Sequence, residues 1–196
     1  MTRPAVFLDR DGVINENRVD HVKSWHEFAF LPGALDALRR LATLDWPVVV
    51  ITNQAAIGRG LVSRETVEEI NGRMVAAVRS EGGRIDGVFY CPHRPEEECA
   101  CRKPEPGLLL QAAEQLGLDL PTSFLVGDAA SDVLAAHAAD CRAVLVGTGR
   151  GAEYAKRALL QRHDIVGYHL ADDLGQAVDW IVDIAKEPSL HDRSRT

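Results

Sequence analysis

Short apolar runs alternate along the chain with longer segments in which apolar residues recur at helical spacing. Short runs that end at Gly, Pro or polar residues are typical of strands buried on both faces of a sheet. The pattern predicts strands at residues 5–8, 48–51, 88–90, 123–126 and 143–146, with a short strand around Val166. Strands that alternate with helices indicate βαβ units, so we expect an α/β fold with a parallel, doubly wound sheet.

The segments between these runs predict helices, from their apolar spacing and from capping residues at their ends. Ser63 is a typical N-cap residue, and Gly117 is positioned to cap a helix at its C-terminus. Helices are predicted at residues 34–44, 63–80, 107–116, 132–139, 152–162 and 173–185. Residues 15–30 mix polar and aromatic side chains without a clean period, which predicts a loop long enough to overhang a site.

The chain has 196 residues, of which 46% are hydrophobic and 26% charged, as is ordinary for a soluble globular protein. We expect one domain over residues 1–187, followed by a flexible polar tail at residues 188–196. No apolar stretch approaches the roughly 20 residues that span a bilayer, and the N-terminus lacks the apolar core of a secretory signal. We therefore expect a cytoplasmic protein without membrane contact, and a monomer.

The net charge is −7, from 22 basic and 29 acidic residues. Nonspecific nucleic-acid binding depends on a basic footprint, so the acidic balance argues against a nucleic-acid partner. A small anionic substrate is still compatible with this charge, because a few local cations and a metal ion suffice to hold one.

Two carboxylates, Asp9 and Asp11, lie where the first predicted strand ends. Residues at i and i+2 share one side if strand geometry persists, and the same alternation turns Arg10 away from both. Close carboxylates raise each other's pKa unless a cation or a substrate compensates. The pair therefore indicates a metal site or a nucleophile beside a proton donor. A polar turn is the alternative, because Asp and Gly are common turn residues.

Polar residues also follow two further predicted strands. Thr52 and Asn53 come after the second strand, and Asp128 comes after the fourth. The carboxyl ends of parallel strands lie at one edge of the sheet, where open α/β folds bind their ligands. We expect these residues to meet Asp9 and Asp11 at that edge, and this convergence favours a functional site over an isolated turn.

Three of the four cysteines lie close together in the sequence with a histidine. The cluster reads C-x-H and C-x-C with five residues between, and its members are Cys91, His93, Cys99 and Cys101. Thiolate and imidazole are the ligands of tetrahedral zinc sites, and four protein ligands leave no open position for water. We therefore expect a structural Zn²⁺ that rigidifies the loop carrying Arg102 and Lys103. The alternative is an incidental cluster; Cys141 stands apart and is interpreted as a buried, inert thiol.

Four short motifs resemble those of the haloacid dehalogenase (HAD) superfamily of phosphatases. They are Asp9-x-Asp11-Gly12-Val13, Thr52-Asn53, Lys103-Pro104 and Gly127-Asp128-x-x-x-Asp132. The loop at residues 91–103 narrows the resemblance to a zinc-containing group that includes heptose-bisphosphate and histidinol-phosphate phosphatases. The resemblance implies a three-layer Rossmann-like HAD fold with a minimal cap and a small phosphorylated substrate.

The resemblance also implies catalytic roles. Asp9 is expected to be the nucleophile that forms an aspartyl-phosphate, and Asp11 the general acid and base. Mg²⁺ is expected on Asp9, on the backbone carbonyl of Asp11 and on Asp128, because magnesium prefers oxygen ligands. Asp132 could orient Lys103 or the metal shell, and an ordinary charge at a helix N-terminus is an equal alternative.

Phosphate and substrate contacts follow from the same resemblance. Thr52, Asn53 and Lys103 are expected to bind the transferring phosphoryl group, where charge stabilisation contributes much of the catalysis. Arg102 is expected to bind the substrate beyond its phosphate. Roles for Arg59 and for the loop at residues 16–30 are left open.

The expected activity is Mg²⁺-dependent removal of the 7-phosphate from D-glycero-D-manno-heptose 1,7-bisphosphate. The enzymatic alternative is a histidinol-phosphate phosphatase or another small-molecule phosphatase. Ala55 and Ala56 replace the Ser and Gly that often follow Asn-Gln in the heptose phosphatases, which leaves the sugar open. The non-enzymatic alternative is a zinc-organised interaction module, in which we would expect Asp9, Asp128 or Lys103 to be lost.

Overall fold

The computed structural model describes residues 2–149, residue 155 and residues 167–186. Within that part of the chain, six parallel strands form one sheet. They are β1 Val6–Leu8, β2 Val48–Asn53, β3 Gly87–Cys91, β4 Phe124–Gly127, β5 Arg142–Val146 and β6 His169–Ala171. The order across the sheet is β3-β2-β1-β4-β5-β6, so the winding direction reverses between β1 and β4. The predicted doubly wound parallel sheet is confirmed.

The described helices are α1 Ala34–Leu41, α2 Ala55–Gly58, α3 Arg64–Ser80, α4 Gly107–Leu116, α5 Ala130–Ala138 and α6 Leu174–Lys186. Ser63 caps α3 by accepting a hydrogen bond from the Thr66 N–H at 3.1 Å, and Gly117 ends α4 in the left-handed region, as predicted. The helix predicted at residues 152–162 lies outside the described residues apart from residue 155, and the strand around Val166 and the tail at 188–196 lie outside them entirely.

The two faces of the sheet carry separate apolar cores, because successive side chains of a strand point to opposite faces. Val6 and Leu8 belong to one core, which packs against α1, α3 and α6. Phe7 belongs to the other, which packs against α4 and α5. Helices therefore cover both faces, and the three-layer α/β fold is confirmed. No helix in the described part of the chain combines the length and apolar character needed to cross a membrane.

Two long loops lie at the carboxyl edge of the sheet, and the described residues contain no separate cap domain, in agreement with a minimal cap. The first loop joins β1 to α1 and is anchored by an aromatic cluster: the Trp25 and Phe28 rings stack at 4.9 Å, and Phe28 meets Phe30 edge-on at 5.1 Å. The tip of this loop, at Val19, is fully exposed. The second loop joins β3 to α4 and contains the cysteine cluster.

Candidate active site

Asp9 directly follows β1 and is almost fully buried at the point where the winding of the sheet reverses. Its Oδ1 accepts a hydrogen bond from the Arg10 N–H at 2.8 Å and lies 2.9 Å from Lys103 Nζ. Burial raises the pKa of Asp9 to about 7; Lys103 opposes this rise, and Asp132, Asp128 and Asp11 add to it. Positive charge close to Asp9, in addition to that of Lys103, would therefore favour its ionised form.

Lys103 is buried and lies among oxygen atoms. Its Nζ is 2.5 Å from Asp132 Oδ1, 2.9 Å from Asp9 Oδ1 and 3.1 Å from the Ile51 carbonyl oxygen, to which it donates. Burial opposes the charge of Lys103, but Asp132 and Asp9 outweigh it, so the pKa of this amine lies above its usual range. Lys103 is thus a permanent cation at the base of the site.

Asn53, at the end of β2, fixes the backbone of Lys103. Its Nδ2 donates to the Lys103 carbonyl oxygen at 3.0 Å, and its Oδ1 accepts from the Lys103 N–H at 3.1 Å. This paired contact joins residues 50 positions apart and positions the amine. Thr52 is buried beside it, and its hydroxyl accepts from Gln54 Nε2 at 2.9 Å. Direct contact of Thr52 and Asn53 with a phosphoryl group stays a prediction.

A group of buried carboxylates matches the donor set of a magnesium site. Asp9, Asp128 and Asp132 offer oxygen atoms that lie within 4.8 Å of one another. Both oxygens of Asp132 are engaged, Oδ1 with Lys103 and Oδ2 with the Ala129 N–H at 3.0 Å. The motif resemblance predicts a divalent cation on Asp9 and Asp128, which would offset the repulsion between them, and this assignment stays a prediction.

Gly12 allows the backbone to approach Asp128 closely. Its φ is 98°, and a Cβ at this position would lie 2.4 Å from Asp128 Oδ2. A side chain here would collide with the buried carboxylate and would also strain the backbone. The glycine of the first motif thus has a steric role that depends on a residue more than a hundred positions away.

In the part of the chain that the structure describes, Asp11 lies outside the group formed by Asp9, Asp128 and Asp132. Its two oxygens accept hydrogen bonds from side-chain donors instead. Oδ1 accepts from Asn15 Nδ2 at 3.0 Å, and Oδ2 accepts from Gln54 Nε2 at 2.8 Å. Arg10 donates to both oxygens, from Nε to Oδ2 at 3.1 Å and from Nη2 to Oδ1 at 3.3 Å. Burial opposes ionisation of Asp11, but Arg10, Asn15 and Gln54 outweigh it, so the pKa of this carboxyl lies below its usual range.

The expectation that Arg10 points away from both aspartates is wrong for Asp11. Strand pairing of β1 ends at Leu8, so the period-two rule no longer applies at residues 9–11. The Arg10 side chain bends back onto Asp11 and is completely buried. A buried guanidinium needs an acidic partner, and its position directly beside two aspartates is the signal that could have indicated this contact.

The cysteine cluster also forms the constellation that its spacing predicts. The Sγ atoms of Cys91, Cys99 and Cys101 lie 3.2–3.5 Å apart, and His93 Nδ1 is 3.5 Å from Cys91 Sγ and 3.3 Å from Cys101 Sγ. A tetrahedron with zinc–sulfur bonds of about 2.3 Å has edges of about 3.8 Å, close to these separations. The donor set and its size therefore fit Zn²⁺, although the identity of the metal stays a prediction.

Ionisation of the thiols in the cysteine cluster also depends on a cation. Burial opposes ionisation of Cys99, but hydrogen bonds from Cys101 and Cys91 outweigh it and lower the pKa of Cys99 to about 7. Burial raises the pKa of Cys91 well above its usual range. Three thiols this close cannot all become thiolates unless positive charge compensates them. Zn²⁺ would supply that charge and hold the loop together.

Hydrogen bonds connect the cysteine loop to the end of β2 and to α2. The Cys91 carbonyl oxygen accepts from the Gln54 N–H at 2.7 Å, and the Pro92 carbonyl oxygen accepts from the Gly58 N–H at 2.9 Å. Arg102 Nη1 donates to the His93 carbonyl oxygen at 3.2 Å. Together with the paired hydrogen bonds between Asn53 and the backbone of Lys103, these contacts fix Lys103 against the strand ends. Disruption of the cysteine loop should therefore disturb the site.

A cavity of about 470 Å³ opens above these residues. Its base is lined by the buried ionic groups Asp9, Lys103 and Asp128 and by the partly buried Asp11. Its rim carries the basic side chains Arg18, His21, Arg59 and Arg102. Acidic groups that can hold a cation thus lie at the base, and groups that can hold an anion lie at the entrance. This arrangement suits a phosphate ester that carries further negative charge.

Comparisons with known proteins decide the family. A D-glycero-beta-D-manno-heptose-1,7-bisphosphate 7-phosphatase from Pseudomonas aeruginosa is 42% identical over 151 residues, which are 77% of this chain and 85% of the relative. The corresponding protein from Bordetella bronchiseptica is 39% identical over 90% of this chain and 97% of its own length. The HAD-hydrolase-like family profile matches residues 100–177. The chain belongs to the family of HAD phosphatases.

Solved structures agree with this family and with its fold. The D,D-heptose 1,7-bisphosphate phosphatase of B. bronchiseptica, complexed with magnesium and phosphate, superposes with a TM-score of 0.83 at 38% identity and covers 92% of this chain and 99% of its own. The enzyme from Burkholderia thailandensis has a TM-score of 0.68 at 33% identity and covers 94% of this chain and 100% of its own. The resemblance identified from the motifs is confirmed.

Most of the residues predicted for this HAD phosphatase meet at the carboxyl edge of the sheet, but three of their partners do not appear among the predicted site residues. Gln54 and Asn15 contact Asp11, and Asn71 accepts from Arg10 Nη1 at 2.9 Å. Asn71 had a detectable signal, because it is a polar residue on the apolar face of α3, next to Ile70 and three positions before Met74.

Loss of one thiol ligand is expected to lower the zinc content and stability of this HAD phosphatase. Cys99→Ser replaces a soft ligand by a hydroxyl, so the zinc content should fall below one per chain, and turnover should fall as Lys103 is held less firmly. Zinc content by metal analysis and thermal unfolding measure both effects. Cys141→Ala is the matched control, because Cys141 is buried outside the cluster, and its zinc content should be unchanged. Full zinc occupancy in Cys99→Ser would contradict the assignment.

Proposed function

We propose that this HAD phosphatase hydrolyses the 7-phosphate of D-glycero-β-D-manno-heptose 1,7-bisphosphate in a Mg²⁺-dependent reaction. The relatives named for this activity carry the proposal, because they match most of the chain at about 40% identity. The assembled site, in which Asp9 lies beside Lys103 and its oxygen lies within 4.8 Å of one from Asp128, supports an enzyme over an interaction module. No feature of the described residues specifically favours histidinol phosphate.

The first half of the reaction transfers the phosphoryl group to Asp9. Two donors hold Oδ1 of Asp9, and we assign the attack on phosphorus to Oδ2. The bond between phosphorus and the C7 oxygen breaks, and Asp11 supplies the proton that the leaving alcohol needs. Lys103 lies beside the reacting carboxylate and stabilises the negative charge of the phosphoryl group.

The second half releases phosphate. Asp11 accepts a proton from a water molecule as this attacks the aspartyl-phosphate, and the bond from phosphorus to the Asp9 oxygen breaks, which regenerates both carboxyl groups. When bound to Asp9 and Asp128, Mg²⁺ supplies charge neutralisation between nucleophile and phosphate. The contacts of Asp11 favour its carboxylate form, so it must first take up a proton from the solvent, and we expect this to happen when the anionic bisphosphate binds beside it.

The basic rim is proposed to select a bisphosphate. Arg59 and Arg102 line the cavity on the side of α2 and of the cysteine loop, and Arg59 Nη1 lies 3.3 Å from His21 Nε2 across the entrance. A phosphate on C1 would meet these groups while the 7-phosphate reaches Asp9. Arginine suits this role, since its planar fork binds phosphate oxygens in pairs.

The proposal is tested by a steady-state screen of both heptose bisphosphate anomers, histidinol phosphate and other small phosphate esters, with phosphate release measured with and without Mg²⁺. The highest kcat/KM is expected for the β-bisphosphate, with turnover only when Mg²⁺ is present. A higher kcat/KM for histidinol phosphate would reject the substrate, and absence of Mg²⁺-dependent turnover from zinc-loaded protein would reject the activity.

Removal of the Arg102 charge is expected to weaken selection of the second phosphate. A charge-assisted hydrogen bond contributes about 1.5–3 kcal/mol, so Arg102→Met should lower kcat/KM for the bisphosphate by about 10- to 100-fold. The value for a simple monophosphate ester should change much less. Arg73→Met on the exposed side of α3 serves as the control, since Arg73 pairs there with Glu69. Equal losses on both substrates would show that Arg102 acts on the core of the site instead.

A further inference from the structure

Arg10 uses its whole guanidinium to connect Asp11 with a helix on one face of the sheet. Nε and Nη2 donate to the two oxygens of Asp11, and Nη1 donates to Asn71 Oδ1 at 2.9 Å. The Arg10 side chain is only 1% exposed, and Asn71 is 5% exposed. Burial of a guanidinium and an amide costs free energy unless each is satisfied, so this arrangement depends on mutual contacts.

Asn71 sits where the packing of α3 would favour an apolar side chain. The other buried residues of this helix are Val67, Ile70, Met74 and Val78, which face the core. The Asn71 contact is therefore the polar exception on an apolar face, and it is aimed at a residue 61 positions earlier. The hydrogen bond to Asn71 fixes Nη1 of the guanidinium, so that Nε and Nη2 face Asp11 in one orientation.

Four donors define the orientation of Asp11. Arg10 provides two, and Gln54 and Asn15 provide one each. These contacts involve both oxygens of Asp11, so rotation of the carboxyl group would break several of them at once. Arg10 connects this shell to α3 through its hydrogen bond to Asn71. The position of Asp11 thus depends on a helix whose N-terminus is at Arg64, far along the chain from both aspartates.

We propose that Arg10, held by Asn71, is a positioning residue that orients Asp11 for proton transfer to the leaving group. The inference rests on the proposed role of Asp11 as the general acid. It goes beyond that role by assigning its alignment to a buried relay that begins on α3. A relay of this kind affects proton transfer by Asp11 selectively, whereas a purely structural contact would affect stability and all substrates alike.

Substrates with different leaving groups distinguish a positioning role of Arg10 from a purely structural one. Proton transfer matters most when the leaving oxygen is basic, and matters little when the leaving anion is stable by itself. Along a series of aryl monophosphates from phenyl to 4-nitrophenyl to 2,4-dinitrophenyl phosphate, a misaligned acid should lower kcat/KM progressively more for the more basic phenolates. The measured quantity is the slope of log kcat/KM against the basicity of the leaving group.

The test compares the slopes of full-length, zinc-loaded variants at saturating Mg²⁺. Asn71→Leu removes the acceptor at similar volume, and should lower kcat/KM by about 10- to 100-fold on phenyl phosphate with little change on 2,4-dinitrophenyl phosphate. Asn71→Asp keeps an acceptor for Nη1 and should restore the slope of the unmodified protein. Val78→Ala creates a cavity on the same helix face and should lower the melting temperature without changing the slope.

Asp11→Asn is the reference, because it removes the acid itself and should steepen the slope most. A steep slope in Asp11→Asn with an unchanged slope in Asn71→Leu would overturn the relay and leave the role of Asp11 intact. An unchanged slope in Asp11→Asn would overturn both the relay and the role of Asp11 as the general acid. If Asn71→Leu does not fold, Arg10→Lys, which keeps the charge and loses the planar fork, must steepen the slope, and an unchanged slope there overturns the relay.

Discussion

Replacement of Asp9 by Asn is expected to lower kcat/KM by on the order of 10⁴-fold or more, the scale of loss when an enzyme nucleophile is removed. The amide cannot form the aspartyl-phosphate, and no other carboxylate occupies its position at the end of β1. Phosphate release from the heptose bisphosphate and from an aryl phosphate measures the loss. Asp36→Asn is the control, because Asp36 is an exposed carboxylate on α1, paired with Arg39; its activity should equal that of the unmodified protein.

The same substitution should not weaken the fold. Asp9 has a folded-state pKa of about 7 against an ordinary value of 3.8, so the folded protein binds this proton more tightly than the unfolded chain does. Without added Mg²⁺, the free energy of unfolding should therefore fall as the pH rises from 4 to 7, and ionised Asp9 should be destabilising above that window. Asp9→Asn lacks this ionisation, so the variant should show a flatter pH dependence in chemical denaturation. Near-normal turnover in this variant would refute the nucleophile assignment.

Loss of Lys103 is expected to damage both stability and catalysis. Lys103→Met removes the cation that Asp9 and Asp132 share and leaves buried carboxylates without compensation. Breaking one partner of a buried ion pair costs about 3–5 kcal/mol, so the free energy of unfolding should drop by that amount at pH 8. Turnover should fall by about 100-fold or more, because charge stabilisation of the phosphoryl group is lost.

Mg²⁺ and pH distinguish an electrostatic loss from a packing defect. Added Mg²⁺ should recover part of the stability of Lys103→Met, since a cation between Asp9 and Asp128 reduces the remaining repulsion. Lys186→Met is the matched control, because Lys186 is a largely exposed lysine on α6 and its loss should be nearly neutral. A stability loss in Lys103→Met that neither Mg²⁺ nor acidic pH reduces would show that the lysine acts through packing alone.

Strand and helix positions were largely predictable because burial leaves a direct signal in the pattern of hydrophobic and polar residues along the chain. β2 and β4 are buried on both faces, their apolar runs are continuous, and each strand is followed by polar residues. The boundaries were less predictable. α1 ends at Leu41, three residues before the predicted end, because Thr43 and Leu44 continue the backbone as turns that the apolar spacing cannot distinguish from helix.

The site was predictable in its membership and less so in its contacts. Asp9, Asp128 and Lys103 follow buried strands or precede a proline in recognisable motifs, so their types and positions indicated phosphoryl chemistry. The amide of Asn53 illustrates this: its contact with a phosphoryl group stays a prediction, whereas its two hydrogen bonds to the backbone of Lys103 were not predicted. The direction of a side chain depends on neighbours that are distant in sequence.

Residue types and their spacing were enough to predict the parallel α/β order, the acidic and polar residues at strand ends, the metal-ligand spacing of the cysteine loop and the HAD family. These properties are local, because they depend on residue type and spacing within a few positions. Three contacts became visible only in the folded chain: Arg10 bends back onto Asp11, Asn71 anchors Arg10 from α3, and Asp132 and Asp9 share Lys103. Those contacts depend on which buried charges share a small volume, where each ion must find a partner, and residue spacing alone does not specify that.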